Sequence, residues 1–600
     1  MEKTEDRLAD FTRDRRILIL SVMAIAIGVM SAFIADALLW LIAVITNLSF
    51  YQRLSSAFAS PAGHHLGPWV VLVPAAGGLI IGLMARYGSE KIRGHGIPEA
   101  LEAILVGRSR MEPKVALLKP LSSAISIGTG GPFGAEGPII MTGGAFGSLF
   151  AQLFHLSSAE RRALLVAGAA AGMSAIFATP VAAVLLAVEL LLFEWRPRSF
   201  IPVAVASATA AALRVVLLGP GPIFPVAGHA PLATEALVIA LGVGIAAGLA
   251  SSLLTTLVYA FEDLFHRLPI HWMWWPVIGG LFVGIGALIQ PHALGVGYDT
   301  ITDLLQGNIV GRALIALLVV KALIWAFALG SGTSGGVLAP LLIMGGALGA
   351  IEARWIPVGD AGLWALLSMA ATMGGTMRSP LTAIVFALEL THDIGVLPAL
   401  LVACIAAHAL TVLVMRRSIL TEKVARRGYH VTREYSIDPL EAFRVREVMD
   451  ETVPVVPATM TVSELSSRIA RHDPLLARHQ ATCLVDPSGA LAGIITRGDV
   501  VRALQKNPSA AMTVLEAGSR DLLVAYPDEI LREAVARMLR NDIGRLPVVS
   551  RSDPKRVIGY VGRSAVLGAR LRRLEEEQVR ETGLFLRFPG RKAATDERSA

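Results

Sequence analysis

Three short segments of this 600-residue chain carry the residue types from which an anion site can be built. They are Gly94-His95-Gly96-Ile97-Pro98-Glu99, Gly134-Ala135-Glu136-Gly137-Pro138 and Gly335-Gly336-Val337-Leu338-Ala339-Pro340. In each, glycine precedes a proline and an apolar run of helical length follows it. Proline suits the first helical turn, where its missing N–H is no loss, and glycine lets the backbone turn its N–H groups toward a ligand. A helix start offers unpaired N–H donors and about half a positive charge. Three such starts meeting at mid-membrane would hold an anion without burying a cation, which at the bilayer centre costs about 3 kcal/mol or more. Irregular backbone at that depth is tolerated only where it is buried in protein or lines a watery cavity. The expected anion-binding positions are Gly94, His95, Gly96, Ile97, Gly134, Ala135, Gly137, Val337, Leu338 and Ala339. Glu136 lies among them, and an acid inside a membrane is a functional residue by default. The bland alternative is an acid that only complements a helix dipole.

The elements that must position these segments are membrane helices. Hydrophobic residues make up 54% of the chain and charged residues 17%, against about 25% charged in a soluble domain. Apolar stretches recur at residues 17–46, 69–84, 164–192, 236–260 and 312–329, lengths that suit a hydrocarbon core about 30 Å thick. The first is too long for a signal peptide's apolar core and has no clear cleavage site, so it is expected to be retained. Lys3, Arg7, Arg13, Arg15 and Arg16 precede the first span, and Arg416, Arg417, Lys423, Arg426 and Arg427 follow the last. The positive-inside rule then puts both termini in the cytoplasm of a bacterial-type inner or plasma membrane, with an even number of crossings of the lipid bilayer. That orientation accounts for the net charge of +7, and no motif points to nucleic acid. Cys404 and Cys483 give no disulfide framework or metal cluster. No nucleophile–base set is present, so an enzyme is not expected.

Glycine and proline punctuation recurs at a nearly fixed offset. Gly77-Gly78-Leu79 returns as Gly279-Gly280-Leu281, and Gly94-His95-Gly96 as Gly295-Val296-Gly297. Gly143 to Gly147 returns as Gly345 to Gly349, and Pro180 with Glu189 as Pro380 with Glu389. Glycine alone permits close helix packing, but that does not explain a common register. Internal duplication marks transporter folds, whose sites lie between the repeats.

The three motifs in this order, with the two Pro-to-Glu segments and the soluble C-terminal pair, resemble the CLC chloride channel and exchanger family over about residues 15 to 430. The resemblance implies an all-α membrane domain of two inverted halves with broken helices, and a homodimer with one pore per subunit. It also implies that Glu136 is a gate, competing with the permeant anion for one N–H cradle and leaving it when protonated. Three positions depart from the family pattern. His95 stands where serine is common; a histidine can donate to an anion, titrate in the physiological range, or pair with backbone. Leu420 replaces a tyrosine whose hydroxyl contacts the central anion. Leu190 aligns with the inner glutamate of exchangers and cannot relay a proton, which leans toward passive conduction. Glu189 or Glu194 could substitute for that glutamate, and Glu189 and His95 are the proton-path candidates, although the repeat partner Glu389 suggests that Glu189 is a packed helix-end acid.

Beyond Met415 the texture changes to that of a soluble α/β protein, with two similar halves after a linker at 428–444. Strand-like residues 454–456, a helix from Thr461, then strands at 481–486 and 491–496 make one half. Residues 522–525, a helix from Ile530, then 545–549 and 557–561 repeat the order. This resembles a tandem pair of CBS domains. The resemblance places ribose and phosphate contacts at Thr496, Arg497 and Asp499, whereas Gly562 and Ala565 stand where the second half needs a hydroxyl and a carboxylate. At most one adenine nucleotide (ATP, ADP or AMP) per pair is therefore expected, the alternative being a pair that only stabilises a dimer. The expected organisation is a cytoplasmic segment 1–16, a membrane domain 17–427 with halves at about 17–218 and 235–427, a linker 428–444, CBS halves 445–507 and 508–570, and a tail 571–600. The expected function is a gated chloride or small-anion channel that requires no cofactor. The alternatives are a proton-coupled chloride or fluoride antiporter and a nonconducting nucleotide sensor.

Overall fold

The computed structural model describes residues 16–578, apart from 106, 108, 193, 227, 230, 231, 429–439, 441, 442 and 507–510. Residues 1–15, most of the linker 428–444 and the tail beyond residue 578 lie outside the described residues. The described residues up to 428 form one unit and those from 440 onward another.

The first unit is helical throughout. Its leading half holds α1 (Arg16–Tyr51), α2 (Leu72–Tyr87), α3 (Ile97–Leu105), α4 (Pro113–Gly128), α5 (Glu136–Gln152), α6 (Ser158–Phe177), α7 (Pro180–Leu186) and α8 (Pro197–Leu217). The second half repeats them as α9 (Thr234–His266), α10 (Trp275–Ile289), α11 (Tyr298–Leu305), α12 (Arg312–Gly330), α13 (Leu338–Glu352), α14 (Ala361–Met377), α15 (Pro380–Thr391) and α16 (Leu397–Val414), and α17 (Ile419–Arg426) follows. Seven helical segments among the described residues are long and apolar enough to cross a membrane. On α1, Leu18, Val22, Phe33 and Trp40 are exposed while Ala24, Ile27 and Ala35 are buried, the pattern of a helix with one side to lipid and one to protein.

The packing of the first half maps onto that of the second. α5 packs on α6 as α13 packs on α14, α6 on α8 as α14 on α16, and α1 on α8 as α9 on α16. Three helices meet their own repeat partners, α2 with α10, α5 with α13 and α7 with α15. At the latter contact, Val181 N–H and Ala182 N–H donate to Glu389 (2.9 and 2.8 Å), and Thr382 N–H donates to Glu189 (2.8 Å). The start of each helix thus meets the acid near the end of the other, so the two run antiparallel. This is what a two-fold axis between inverted halves requires.

The expected apolar stretch 164–192 is not one helix. Ala178 adopts φ +55 and closes α6, and Pro180, which lacks an N–H, begins α7. The second half breaks the same way, at Arg378 with φ +57 before Pro380. The matching helix starts are also capped. Ser157 and Glu160 cap α6 reciprocally, and Asp360 accepts from Leu363 N–H (2.7 Å) at α14.

The connection between the halves is clasped by His229. Its Nδ1 lies 2.6 Å from Asp393 and its Nε2 3.2 Å from Asp360. Burial opposes charge on the ring, but the hydrogen bonds to Asp393 and Asp360 outweigh it and raise its pKa above the ordinary 6.5. A raised folded-state pKa gives stability that is complete below 6.5 and lost as pH rises through the folded value. The melting-temperature difference between wild type and His229→Gln is therefore expected to be largest below pH 6.5 and to shrink above it. A difference that stays constant through that interval would remove the clasp.

The second unit is α/β. Its first sheet has the order β1 (Val455–Pro457), β2 (Ala481–Val485), β3 (Leu491–Thr496), with β1 and β2 parallel and β2 and β3 antiparallel. α18 (Val462–Ala470) starts where Thr461 accepts from Glu464 N–H (3.2 Å). The second sheet pairs only β4 (Arg545–Val549) with β5 (Val557–Gly562). The strand expected at 522–525 is reduced to one parallel bridge, Ala525 to Val548. Beyond it the chain turns, with Tyr526 N–H donating to Glu529 (3.2 Å). The halves also exchange their leading residues: Val445 belongs to the core with Leu531 and Val561, and Val514 to the core with Leu465 and Ile495.

Candidate anion site

The three glycine–proline segments meet. Gly335 N–H donates to Gly94 O (3.4 Å), and Gly134 and Gly336 exchange backbone hydrogen bonds (3.4 and 2.9 Å). A side chain on Gly137 would strike His95 O at 2.1 Å, and one on Gly96 would strike Gly137 O at 2.7 Å. Three helix starts, those of α3, α5 and α13, therefore share one buried region, each reached through residues that need either a positive φ or the absence of a Cβ. Gly94 and Gly96 have φ +84 and +90.

Glu136 opens α5 and is fully buried. Its Oε1 accepts from Ala339 N–H at 3.0 Å, so the acid of the first half sits on the helix start of the second. Its Oε2 is buried without a hydrogen-bond partner among the described residues. The carboxylate lies against Gly134 and Gly336, where a Cβ would come within 1.8 Å and 2.7 Å of its oxygens. Ala135, Gly137, Val337, Leu338 and Ala339 are buried around it. This is a cradle of backbone donors shaped by glycine, and among the described residues it holds the carboxyl group without a cationic side chain in hydrogen-bond contact.

The first motif is arranged differently from expectation in one respect. Gly96 N–H donates to Glu99 Oε2 (2.9 Å), so Gly96 serves the bend and its N–H is already satisfied. Glu99 also pairs with Lys423 (2.9 Å) and Arg427 (3.1 Å), which ties α3 to α17. His95 is 3% exposed and lines a cavity of about 830 Å³ together with Glu99, Tyr259, Lys423 and Arg427. Its Nδ1 has no hydrogen-bond partner among the described residues. Ile97 begins α3 and is buried. Leu420 is fully buried on α17, and Tyr259 of α9 donates its hydroxyl to the neighbouring Ile419 carbonyl.

The remaining expected positions lie elsewhere. Glu189 caps α15 through Thr382 N–H (2.8 Å) and the Thr382 hydroxyl (2.6 Å), and Leu190 beside it is fully buried. In the second unit, Asp499 accepts from Thr496 N–H (2.8 Å) and the Thr496 hydroxyl (2.6 Å) and is ion-paired with Arg502. Arg497 donates to Ala477 O.

Sequence reading missed three buried charges near the site. Glu99 was visible in its motif without a role. Lys119 on α4 and Lys321 on α12 are fully buried, and their separation of 202 residues, equal to that of Gly143 and Gly345, was the available signal.

Two family descriptions match the chain. Voltage gated chloride channel covers residues 77–412, and CBS domain covers residues 445–506 and 514–572. The voltage-gated ClC-type chloride channel ClcB of Salmonella typhimurium is 30% identical over 375 residues, 61% of this chain and 89% of that one. The structure of a slow cyanobacterial Cl-/H+ antiporter aligns with a TM-score of 0.62 at 21% identity, covering 69% of this chain and 99% of that one. That of a eukaryotic CLC transporter aligns at 0.61 and 19% identity, covering 92% and 98%. At these identities the structural likeness speaks for the fold.

Proposed function

This chain belongs to the voltage gated chloride channel family, and we propose that it carries chloride or another small anion across the bilayer, with Glu136 as the protonatable gate. One observation carries the reading: a buried carboxylate occupies the Ala339 N–H at the start of α13, the kind of donor an arriving anion would use. Protonation removes the charge that competes for that donor. His95, facing the cavity, takes the place of the missing hydroxyls at the central site and supplies the N–H donor that Leu420 lacks.

Passive conduction is favoured over exchange, because Leu190 carries no proton and the Glu189 carboxylate is engaged at the start of α15. Proton-coupled antiport of chloride or fluoride is the competing reading. The protein acts as a homodimer with both termini cytoplasmic, in a bacterial-type inner membrane. Its CBS pair regulates transport and accepts at most one adenine nucleotide at Thr496, Arg497 and Asp499. A ribose there would have to displace Arg502 from Asp499.

Vesicles holding the full-length chain separate these readings. Under a chloride, nitrate or fluoride gradient without a pH gradient, the expected result is anion flux with no uphill proton movement. Sustained uphill proton movement would replace the channel with an antiporter, and absence of flux for every anion would remove the transport reading.

A further inference from the structure

A cation stands against the first helix-start segment. Lys423 of α17 places its Nζ where a side chain at Gly94 would lie, 2.0 Å from the Cβ that glycine lacks. Gly94, His95 and Lys423 all line the cavity of about 830 Å³. His95 is buried there, and its Nδ1 has no hydrogen-bond partner among the described residues. Lys423 also follows Leu420 by three residues on α17, which puts the two on one face of the helix. The face that offers no hydroxyl at position 420 therefore offers an ammonium one turn later.

The tie between α3 and α17 does not require this lysine. Glu99 accepts from Gly96 N–H (2.9 Å) and pairs with Arg427 (3.1 Å), which also reaches Glu102. An ammonium has three donors, and among the described residues the ion-pair partner of Lys423 is Glu99 (2.9 Å). The lysine side chain is 17% exposed, so its charge stands at a cavity wall, and Glu99 offsets part of the desolvation cost. We propose that Lys423 is an anion ligand of this chain: together with His95 it holds a chloride-sized anion in the cavity beside the first helix start. The inference rests on the anion-transport reading. Lys423 supplies a charge-assisted donor on the face where Leu420 supplies none, and Glu99 and the anion compete for the same ammonium.

The test measures the initial rate of chloride flux against chloride concentration in vesicles holding the full-length chain, for wild type, Lys423→Gln and Glu99→Gln. Size-exclusion elution establishes that each variant folds. Lys423→Gln is expected to raise the half-saturating chloride concentration about tenfold, the loss of one hydrogen bond to a charged group. Glu99→Gln breaks the same ion pair, while its amide oxygen can still accept from Gly96 N–H. It should lower the half-saturating concentration, because it removes a negative charge beside the anion and releases the ammonium. An equal rise in both variants would make Lys423 a tie between α3 and α17 and overturn the inference. Should Lys423→Gln fail to fold, Glu99→Gln decides: a lowered value upholds the lysine, and an unchanged or raised value removes it. Flux that saturates alike in wild type and Lys423→Gln removes the lysine and leaves transport standing, whereas a wild type that carries no chloride takes both readings away.

Discussion

Glu136→Gln is expected to abolish the pH dependence of anion flux and to raise flux near neutral pH by roughly 10- to 100-fold, the factor equivalent to a charge-assisted hydrogen bond of about 1.5–3 kcal/mol. The carboxylate holds Ala339 N–H at 3.0 Å, so while ionised it denies that donor to an anion. Glutamine has the same size and still accepts from Ala339, but without charge it competes weakly. Its amide nitrogen would also enter the pocket where Oε2 has no partner among the described residues, leaving buried donors unsatisfied and favouring departure. Glu136→Ala removes the side chain altogether and should act in the same direction. Flux measured at an acidic and a neutral pH decides the matter. A glutamine variant that still follows the wild-type pH profile takes the gate away from this residue.

Much of this site was legible because glycine and proline act locally. A proline at a helix start and a glycine that must bend are properties of a few adjacent residues, so the starts of α3, α5 and α13 could be read from the chain. The register of the repeat also matched α2 to α10 and α7 to α15 as counterparts, although not as neighbours. What stayed hidden depended on distant contacts. Nothing near Glu189 says that its partner is Thr382, 193 residues away. Nothing near Gly96 says that its N–H is taken by Glu99 instead of being left for a ligand. The break at Ala178 escaped because the stretch is apolar on both sides, and hydropathy is blind to a single left-handed residue; Pro180 was the cue. The strand expected at 522–525 failed for a related reason. Its residues have strand character, but among the described residues only Ala525 finds a bridge partner before the chain turns toward α19 (Leu531–Arg540).

Gly137→Ala is expected to eliminate measurable anion flux, a loss of more than about 100-fold, while Gly242→Ala leaves flux unchanged. The added atom is identical, and only its surroundings differ. At position 137 it would lie 2.1 Å from His95 O and 3.1 Å from Gly336 Cα, whereas at position 242 it meets nothing within 4 Å. Both obstacles at 137 are backbone and both are held. The His95 loop is fixed by Lys119 on Gly94 O and by Glu99 on Gly96 N–H, and Gly336 is fixed by its bridge to Gly134. Overpacking of this kind costs typically about 1–3 kcal/mol and sometimes more, which a membrane domain can survive. Transport cannot, because relief requires the start of α5 to withdraw from α3 or α13, and the anion site exists only where these starts meet. Size-exclusion elution establishes whether the Gly137→Ala protein folds, and vesicle flux then reads the site. A folded Gly137→Ala protein that conducts like wild type would mean that anions cross this chain somewhere other than between these helix starts.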